Sequence, residues 1–250
     1  MKYFFTKSGI KKIEELLSVK TLYAFDYDGT LAPIVNKPDM AEMNAKCESL
    51  LKKFNEAEQI AIISGRSVED LKKKIAFRPK YLVGNHGIEY KKFKNKYSFV
   101  KKEVTKWKKD ILNLIKNDTG LRGIKVEDKI YSLTLHYRGY KNKKNSLLKE
   151  VNKLTPAPRI VLGKSIINLI PKNAPNKGDV LLQLIQNGGF KKSLYIGDDI
   201  TDEDVFSLLD DRILKIRVGK KKNSKAHFYL RQQSQVNQLL HYLTTNIGDI

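Results

Sequence analysis

Phe25-Asp26-Tyr27-Asp28-Gly29-Thr30-Leu31 follows the apolar run 22–25, and its reading decides the rest of the chain. A short apolar strand that opens into two aspartates, a glycine and a hydroxyl residue places those groups just past its carboxyl end. In open α/β sheets that is where ligands gather. Two carboxylates at this spacing can share one pocket and divide the chemistry. One attacks phosphorus; the other serves the leaving oxygen as an acid and later acts on water as a base. Gly29 lets the backbone approach a ligand closely, and Thr30 offers a donor to an oxygen. The competing reading of this stretch alone is a turn with aspartate capping.

Outward from it, apolar runs alternate with helical patterns: a helix near 40–54, a strand at 60–63, a helix at 68–75 and a strand at 81–83. The rhythm resumes with a helix at 177–186, a strand at 193–196, a helix at 202–209 and a strand at 214–218. This order predicts parallel βαβ units in an α/β fold with a doubly wound, mostly parallel sheet. The strands read as continuous apolar runs, as strands covered on both faces do. Between the two halves the rhythm breaks. Val104, Trp107, Ile111, Leu114 and Ile115 fall at helical spacing, and strands at 124–126 and 131–137 follow. A Lys-rich helix near 144–154 comes next, then strands at 159–162 and 166–170 around Gly163-Lys164-Ser165. The expectation is a core of residues 1–91 and 173–250, with 92–172 inserted as a smaller α+β domain.

Four further segments carry chemistry. Ser64-Gly65-Arg66 ends another strand, where a hydroxyl, a glycine and a helix start cradle phosphate oxygens; alone it reads equally as a helix cap. Asn85-His86-Gly87 is a similar strand-end loop, although His86 in isolation reads as structural. Lys177, in Asn176-Lys177-Gly178-Asp179, opens a helix and can offset the repulsion between a phosphate and a carboxylate nucleophile; alone it reads as a surface lysine at a helix start. Finally, Gly197-Asp198-Asp199-Ile200-Thr201-Asp202-Glu203-Asp204 sets five acids within seven residues of a strand end. Such a run repels itself unless a cation sits among it. Asp26, Asp198 and the Asp28 backbone carbonyl form an oxygen set suited to Mg2+.

Composition bounds the alternatives. The 250 residues are 41% hydrophobic, enough for a sizeable core. Cys47 is the single cysteine, which excludes an intrachain disulfide framework and fits a reducing compartment. No targeting segment is visible, and no stretch reaches the roughly 20 apolar residues of a membrane span. The net charge of +21 raises nucleic acid as a partner. However, runs such as Lys72-Lys73-Lys74 and Lys220-Lys221-Lys222 are spread along the chain and read as solvated surface.

Taken in order, these segments resemble the haloacid dehalogenase superfamily of phosphohydrolases. The resemblance implies an aspartyl-phosphate at Asp26, acid/base work by Asp28, and phosphate contacts from Ser64 and Lys177. It also implies Mg2+ held by Asp26, Asp28 and Asp198 with Asp199 and Asp202 beside them, and the insertion as a cap over the site. Within that superfamily, Asp26 to Ile34, Gly84 to Glu89 and Gly197 to Asp204 look like trehalose-6-phosphate phosphatases. So does Glu127-Asp128-Lys129 followed by Leu133 to Arg138. In that family the matching Glu, Lys and Arg contact the disaccharide, which assigns Glu127, Lys129 and Arg138. Thr30, Gly65, Arg66, Asn85, His86 and Asn168 complete the expected substrate side. Asn168 and Ile170 stand where the family usually has Glu and Arg. The expectation is therefore a cytoplasmic, monomeric, Mg2+-dependent phosphatase of trehalose 6-phosphate, with no nucleic-acid or membrane partner. The alternatives are a sucrose- or mannosyl-type sugar phosphate, or a sugar-phosphate-sensing or nucleic-acid-binding protein.

Overall fold

Five-residue strand β2 (Thr21–Phe25) is buried along its whole length and occupies the middle of a parallel sheet. The computed structural model describes residues 1–35, 37–93, 97–163 and 165–247; Lys164, expected in a turn, lies outside them. The described residues divide into two compact units, one of residues 1–90 and 176–250, the other of 91–175.

In the first unit the other strands are β1 (Lys2–Tyr3), β3 (Gln59–Ile63), β4 (Tyr81–Val83), β9 (Lys192–Gly197), β10 (Ile213–Val218) and β11 (Phe228–Leu230). They run β1-β11-β10-β9-β2-β3-β4, every pair parallel. From β2 the chain winds one way through β3 and β4, and later the other way through β9 and β10. The carboxyl end of β2 is thus the topological switch point, and Asp26 is the next residue. Strand alternation sorts its neighbours. Tyr23, Phe25, Ile60, Ile62, Leu194 and Ile196 join one apolar cluster with α1 (Lys7–Leu17), α2 (Ala45–Ala57) and α8 (Gln235–Thr245). Ala24 and Asp26 face the other way, towards α6 (Lys177–Gly188) and α7 (Glu203–Phe206), with α3 (Val68–Lys74) also in this unit.

The second unit is an antiparallel sheet of β5 (Lys125–Asp128), β6 (Leu133–His136), β8 (Ile166–Pro171) and β7 (Pro158–Gly163), in that order. Its apolar residues Leu133, Leu135, Ile167 and Leu169 are buried, as are Val104, Trp107 and Ile111 of α4 (Phe99–Asn117) and Leu147 of α5 (Lys144–Val151). The Trp107 indole N–H donates to the Pro156 carbonyl at 2.8 Å.

Element order and type follow the pattern; boundaries differ where a local group overrides it. The helix expected near 40–54 starts instead at Ala45, because the Asn44 side chain accepts from the Cys47 amide at 2.8 Å and caps it there. The helix expected at 202–209 stops at Phe206. Beyond it Leu209 stands fully in solvent, and Asp210 turns the chain by accepting from the Arg212 amide. Strands β1 and β11 and helices α1 and α8 are additions to the elements the sequence pattern predicts.

Phe54 is fully buried, with its ring edge-on to Tyr23 at 4.7 Å between centroids. Phe54→Ala is expected to lower unfolding stability by about 3–5 kcal/mol in urea titration. A loss below about 1 kcal/mol would place this contact outside the core that supports β2.

Candidate active site

The site begins with the backbone of β2. The Asp26 amide donates to the Ile196 carbonyl at 2.9 Å, so the residue is still tied to β9 when its side chain leaves the sheet. Asparagine at position 176 caps α6 through a reciprocal pair with Asp179, which sets Lys177 as the first helical residue. The Lys177 ammonium, 2% exposed, donates to Asp26 Oδ1 at 2.8 Å and to Asp202 Oδ1 at 2.7 Å. Asp202 is fully buried and accepts four hydrogen bonds. Lys177 and the Tyr195 hydroxyl reach Oδ1; the amides of Asp198 and Asp199 reach Oδ2. Two glycines make this possible. A Cβ on Gly29, whose φ is +79°, would lie 2.1 Å from Asp198 Oδ2, and one on Gly197 would lie 2.3 Å from Asp202 Cγ.

The charges do not balance. Ligand oxygens of Asp26, Asp198 and Asp202 lie within 4.8 Å of one another, against one ammonium. Burial drives the Asp26 carboxyl well above the ordinary carboxylate range; Lys177 opposes this, while Asp202 and Asp198 add to it. Asp198 is pushed up to about 7, by burial first and then by Asp202 and Asp199. Burial pulls Lys177 down, but the two carboxylates outweigh it and its pKa rises. Burial is the larger cause for the two aspartates, and the neighbouring carboxylates act in the same direction in all three groups. Asp198 Oδ1 is buried with no hydrogen-bond partner, whereas both oxygens of Asp202 are saturated by donors. An orphaned oxygen beside surplus carboxylates fits a divalent cation held by Asp26 and Asp198, with Asp202 anchoring the lysine and the loop.

Asp28 is placed differently. Its carboxylate takes a two-point hydrogen bond from Arg66, Nε to Oδ2 and Nη2 to Oδ1, both at 2.7 Å. Arg66 Nη1 also donates to Asp70 Oδ2 at 2.6 Å. The Asp28 and Asp199 side chains are outside the carboxylate trio, and Asp199 is exposed. Ser64 is buried, its Oγ accepting from the Arg66 amide at 3.2 Å. The His86 amide donates to the Ser64 carbonyl, and the Asn85 amide to the Arg66 carbonyl, which joins the two strand-end loops around Gly65. Asn85 and His86 both adopt positive φ, 48° and 57°. Thr30 is buried with its hydroxyl unpartnered, while the Gln233 amide donates to the carbonyls of Thr30 and Leu31 at 3.0 Å.

In the second unit, register aligns Glu127, Thr134 and Asn168 across β5, β6 and β8. Glu127 pairs with the His136 ring at 2.8 Å and lies 3.7 Å from the Lys129 ammonium. Asn168 Oδ1 accepts the Thr134 hydroxyl at 2.7 Å, which leaves its amide N–H groups as donors. Arg138 is exposed, just beyond β6.

Local pattern does not single out Tyr195, Arg217 or Gln233 as site residues. Tyr195 sits in an apolar strand and reads as core. Arg217 left a usable signal, being a charge inside an otherwise buried strand, where it requires partners.

The trehalose-phosphatase family model matches residues 24–235. Trehalose-phosphate phosphatase B of Arabidopsis thaliana is 30% identical over 265 residues, spanning 94% of this chain and 70% of that protein. The probable trehalose-phosphate phosphatase E of the same plant is 31% identical over 264 residues, spanning 94% and 74%. Among solved structures, the C-terminal domain of Candida albicans trehalose-6-phosphate phosphatase matches with a TM-score of 0.71 at 26% identity, covering 93% of this chain and 95% of that one. The family match takes in every carboxylate, the buried lysine and the inserted sheet described above, and the chain belongs to the trehalose-phosphatase family.

Proposed function

We propose that the protein hydrolyses trehalose 6-phosphate to trehalose and inorganic phosphate through an aspartyl-phosphate on Asp26. The observation that carries this reading is the Lys177 ammonium, held between Asp26 and Asp202 beside the unpartnered oxygen of Asp198. Asp26 Oδ2 attacks phosphorus, and the bond from phosphorus to the sugar oxygen breaks. Asp28, once it leaves its two-point bond with Arg66 and takes up a proton from solvent, gives that proton to the leaving oxygen. The carboxylate of Asp28 then takes a proton from water, whose oxygen attacks phosphorus and frees phosphate and Asp26. Lys177 and the Ser64 and Thr30 hydroxyls steady the charge on the phosphoryl oxygens. Mg2+ held by Asp26 and Asp198, with the Asp28 carbonyl, supplies further neutralisation of that charge when bound.

The 91–175 unit acts as the cap and the sugar reader. Glu127, Lys129, Arg138 and Asn168 offer acceptors and donors suited to a ligand rich in hydroxyls. Asn168 favours one second reading: an amide in place of a carboxylate suits a different sugar phosphate handled by the same chemistry. The protein acts in the cytoplasm as a monomer, without nucleic-acid or membrane partners. The cytoplasmic setting is supported by the one buried cysteine, and the want of a nucleic-acid partner by lysines dispersed along the chain. No helix among the described residues is long and apolar enough to cross a membrane.

Phosphate release from a panel of sugar phosphates, with Mg2+ and with EDTA, tests the reading. Trehalose 6-phosphate is expected to be preferred and EDTA to stop release; Mg2+-dependent preference for another sugar would keep the mechanism and replace the substrate. Asp26→Asn should lower kcat by a factor on the order of 10⁴–10⁶ while the thermal transition is kept, and retained turnover would remove Asp26 as nucleophile. Glu127→Gln and Arg138→Ala should each lower kcat/KM for the disaccharide about 10–100-fold but leave p-nitrophenyl phosphate within about threefold. Equal losses on both substrates would contradict a sugar-reading role.

A further inference from the structure

Arg217 stands in β10 directly across from Gly197 of β9, one residue before Asp198. Its side chain is only 8% exposed, so its charge has to be met by partners. Those partners are the acidic loop itself. Nη1 donates to the Asp199 carbonyl at 3.0 Å and to Glu203 Oε1 at 3.1 Å, and Nη2 donates to the Asp198 carbonyl. The amides of the same two residues donate to Asp202 Oδ2, each at 2.8 Å. Residues 198 and 199 are therefore fastened on both sides, their N–H groups by a carboxylate and their carbonyls by a guanidinium. Glu203 is fixed in turn, its second oxygen accepting from the Lys225 amide at 3.0 Å. From this immobilised backbone the Asp198 side chain carries Oδ1 into the site, where no donor meets it.

We infer that Arg217 is a positioning residue for the metal: it holds the main chain of Asp198 and Asp199 so that Asp198 Oδ1 is pre-set as a Mg2+ ligand. The inference rests on Asp198 being a ligand, as proposed above. Mg2+ requires near-octahedral oxygens at about 2.0–2.1 Å, so a ligand on a loose loop is a poor one. Groups that orient metal ligands from behind commonly contribute about 10–100-fold to metal affinity. A planar guanidinium reaches two carbonyls and a carboxylate at once, which a lysine ammonium in the same place does not.

The test is Mg2+ binding to the substrate-free full chain by calorimetry, alongside the Mg2+ concentration for half-maximal phosphate release. Arg217→Met should weaken Mg2+ about 10–100-fold in both measurements, with KM for trehalose 6-phosphate at saturating Mg2+ within about twofold of the parent. Arg217→Lys, which keeps the charge and loses the fork, should fall between. Unchanged Mg2+ affinity in folded Arg217→Met overturns the inference, and so does full recovery in Arg217→Lys, which would reduce the role to charge. If Arg217→Met does not fold, Glu203→Gln carries the test, because it loosens the guanidinium from one side only. It should weaken Mg2+ about threefold to tenfold, and no change overturns the inference. Asp198→Asn separates the two levels. Parent-like Mg2+ affinity there removes Asp198 as a ligand and the inference with it. Loss there with none in Arg217→Met keeps the ligand and discards the arginine.

Discussion

One ammonium shared between two buried carboxylates, with a third close by, is the constraint on which the rest of the site depends. Lys177 satisfies Asp26 and Asp202 together, yet the trio remains short of positive charge. Removing the ammonium from such a buried set typically destabilises by about 3–5 kcal/mol, because the carboxylates are stranded. Each neighbouring group answers that imbalance. Tyr195 and two backbone amides saturate Asp202, Arg66 takes Asp28 out of the repulsion, and Arg217 brings a second cation against the loop. The orphaned oxygen of Asp198 is what these neighbours leave uncompensated.

The sheet makes so crowded a set of charges tolerable. Because side chains alternate along a strand, Phe25 and Asp26 leave β2 on opposite faces, and both faces are covered because β2 is interior and parallel to its two neighbours. Phe25 enters an apolar cluster reaching from Phe4 through α2 to Leu243 of α8. Burial on that side stabilises the strand whose next residue is electrostatically unfavourable on the other. The chemistry is thus supported by packing that takes no part in it.

This division also governs what can be read from sequence. The parallel fold is legible because buried strands appear as apolar runs and helices keep their period. The strand-end segments are legible because acids, glycine and lysine seldom gather at the ends of apolar runs unless a ligand site needs them there. Strands of two or three residues, such as β1 and β11, carry too little pattern to be seen. The start of α2 is misplaced by the pattern because periodicity continues upstream of Asn44, while the cap that ends it is a single side chain. Tyr195 and Arg217 escape a sequence reading for a deeper reason. Their partners are backbone groups and a carboxylate brought near by the pairing of β9 with β10 and by the loop geometry after β9, none of which local pattern encodes.

The second unit follows another rule. An antiparallel sheet can bury one face and leave the other polar, and here the row Glu127, Thr134, Asn168 occupies the polar one. A carboxylate at position 168 would present only acceptors, and the Thr134 hydroxyl would donate to it. Asparagine keeps that bond at Oδ1 and turns the rest of the group into a donor. The row therefore changes its hydrogen-bonding sense without losing its packing, and Glu127 remains its one carboxylate. The groups named above that balance charge around Asp26 (Lys177, Tyr195, Arg66 and Arg217) all belong to the other unit. On the sugar-reading role proposed for this row, a substitution at position 168 retunes which hydroxyls are read and leaves the residues named around Asp26 unchanged.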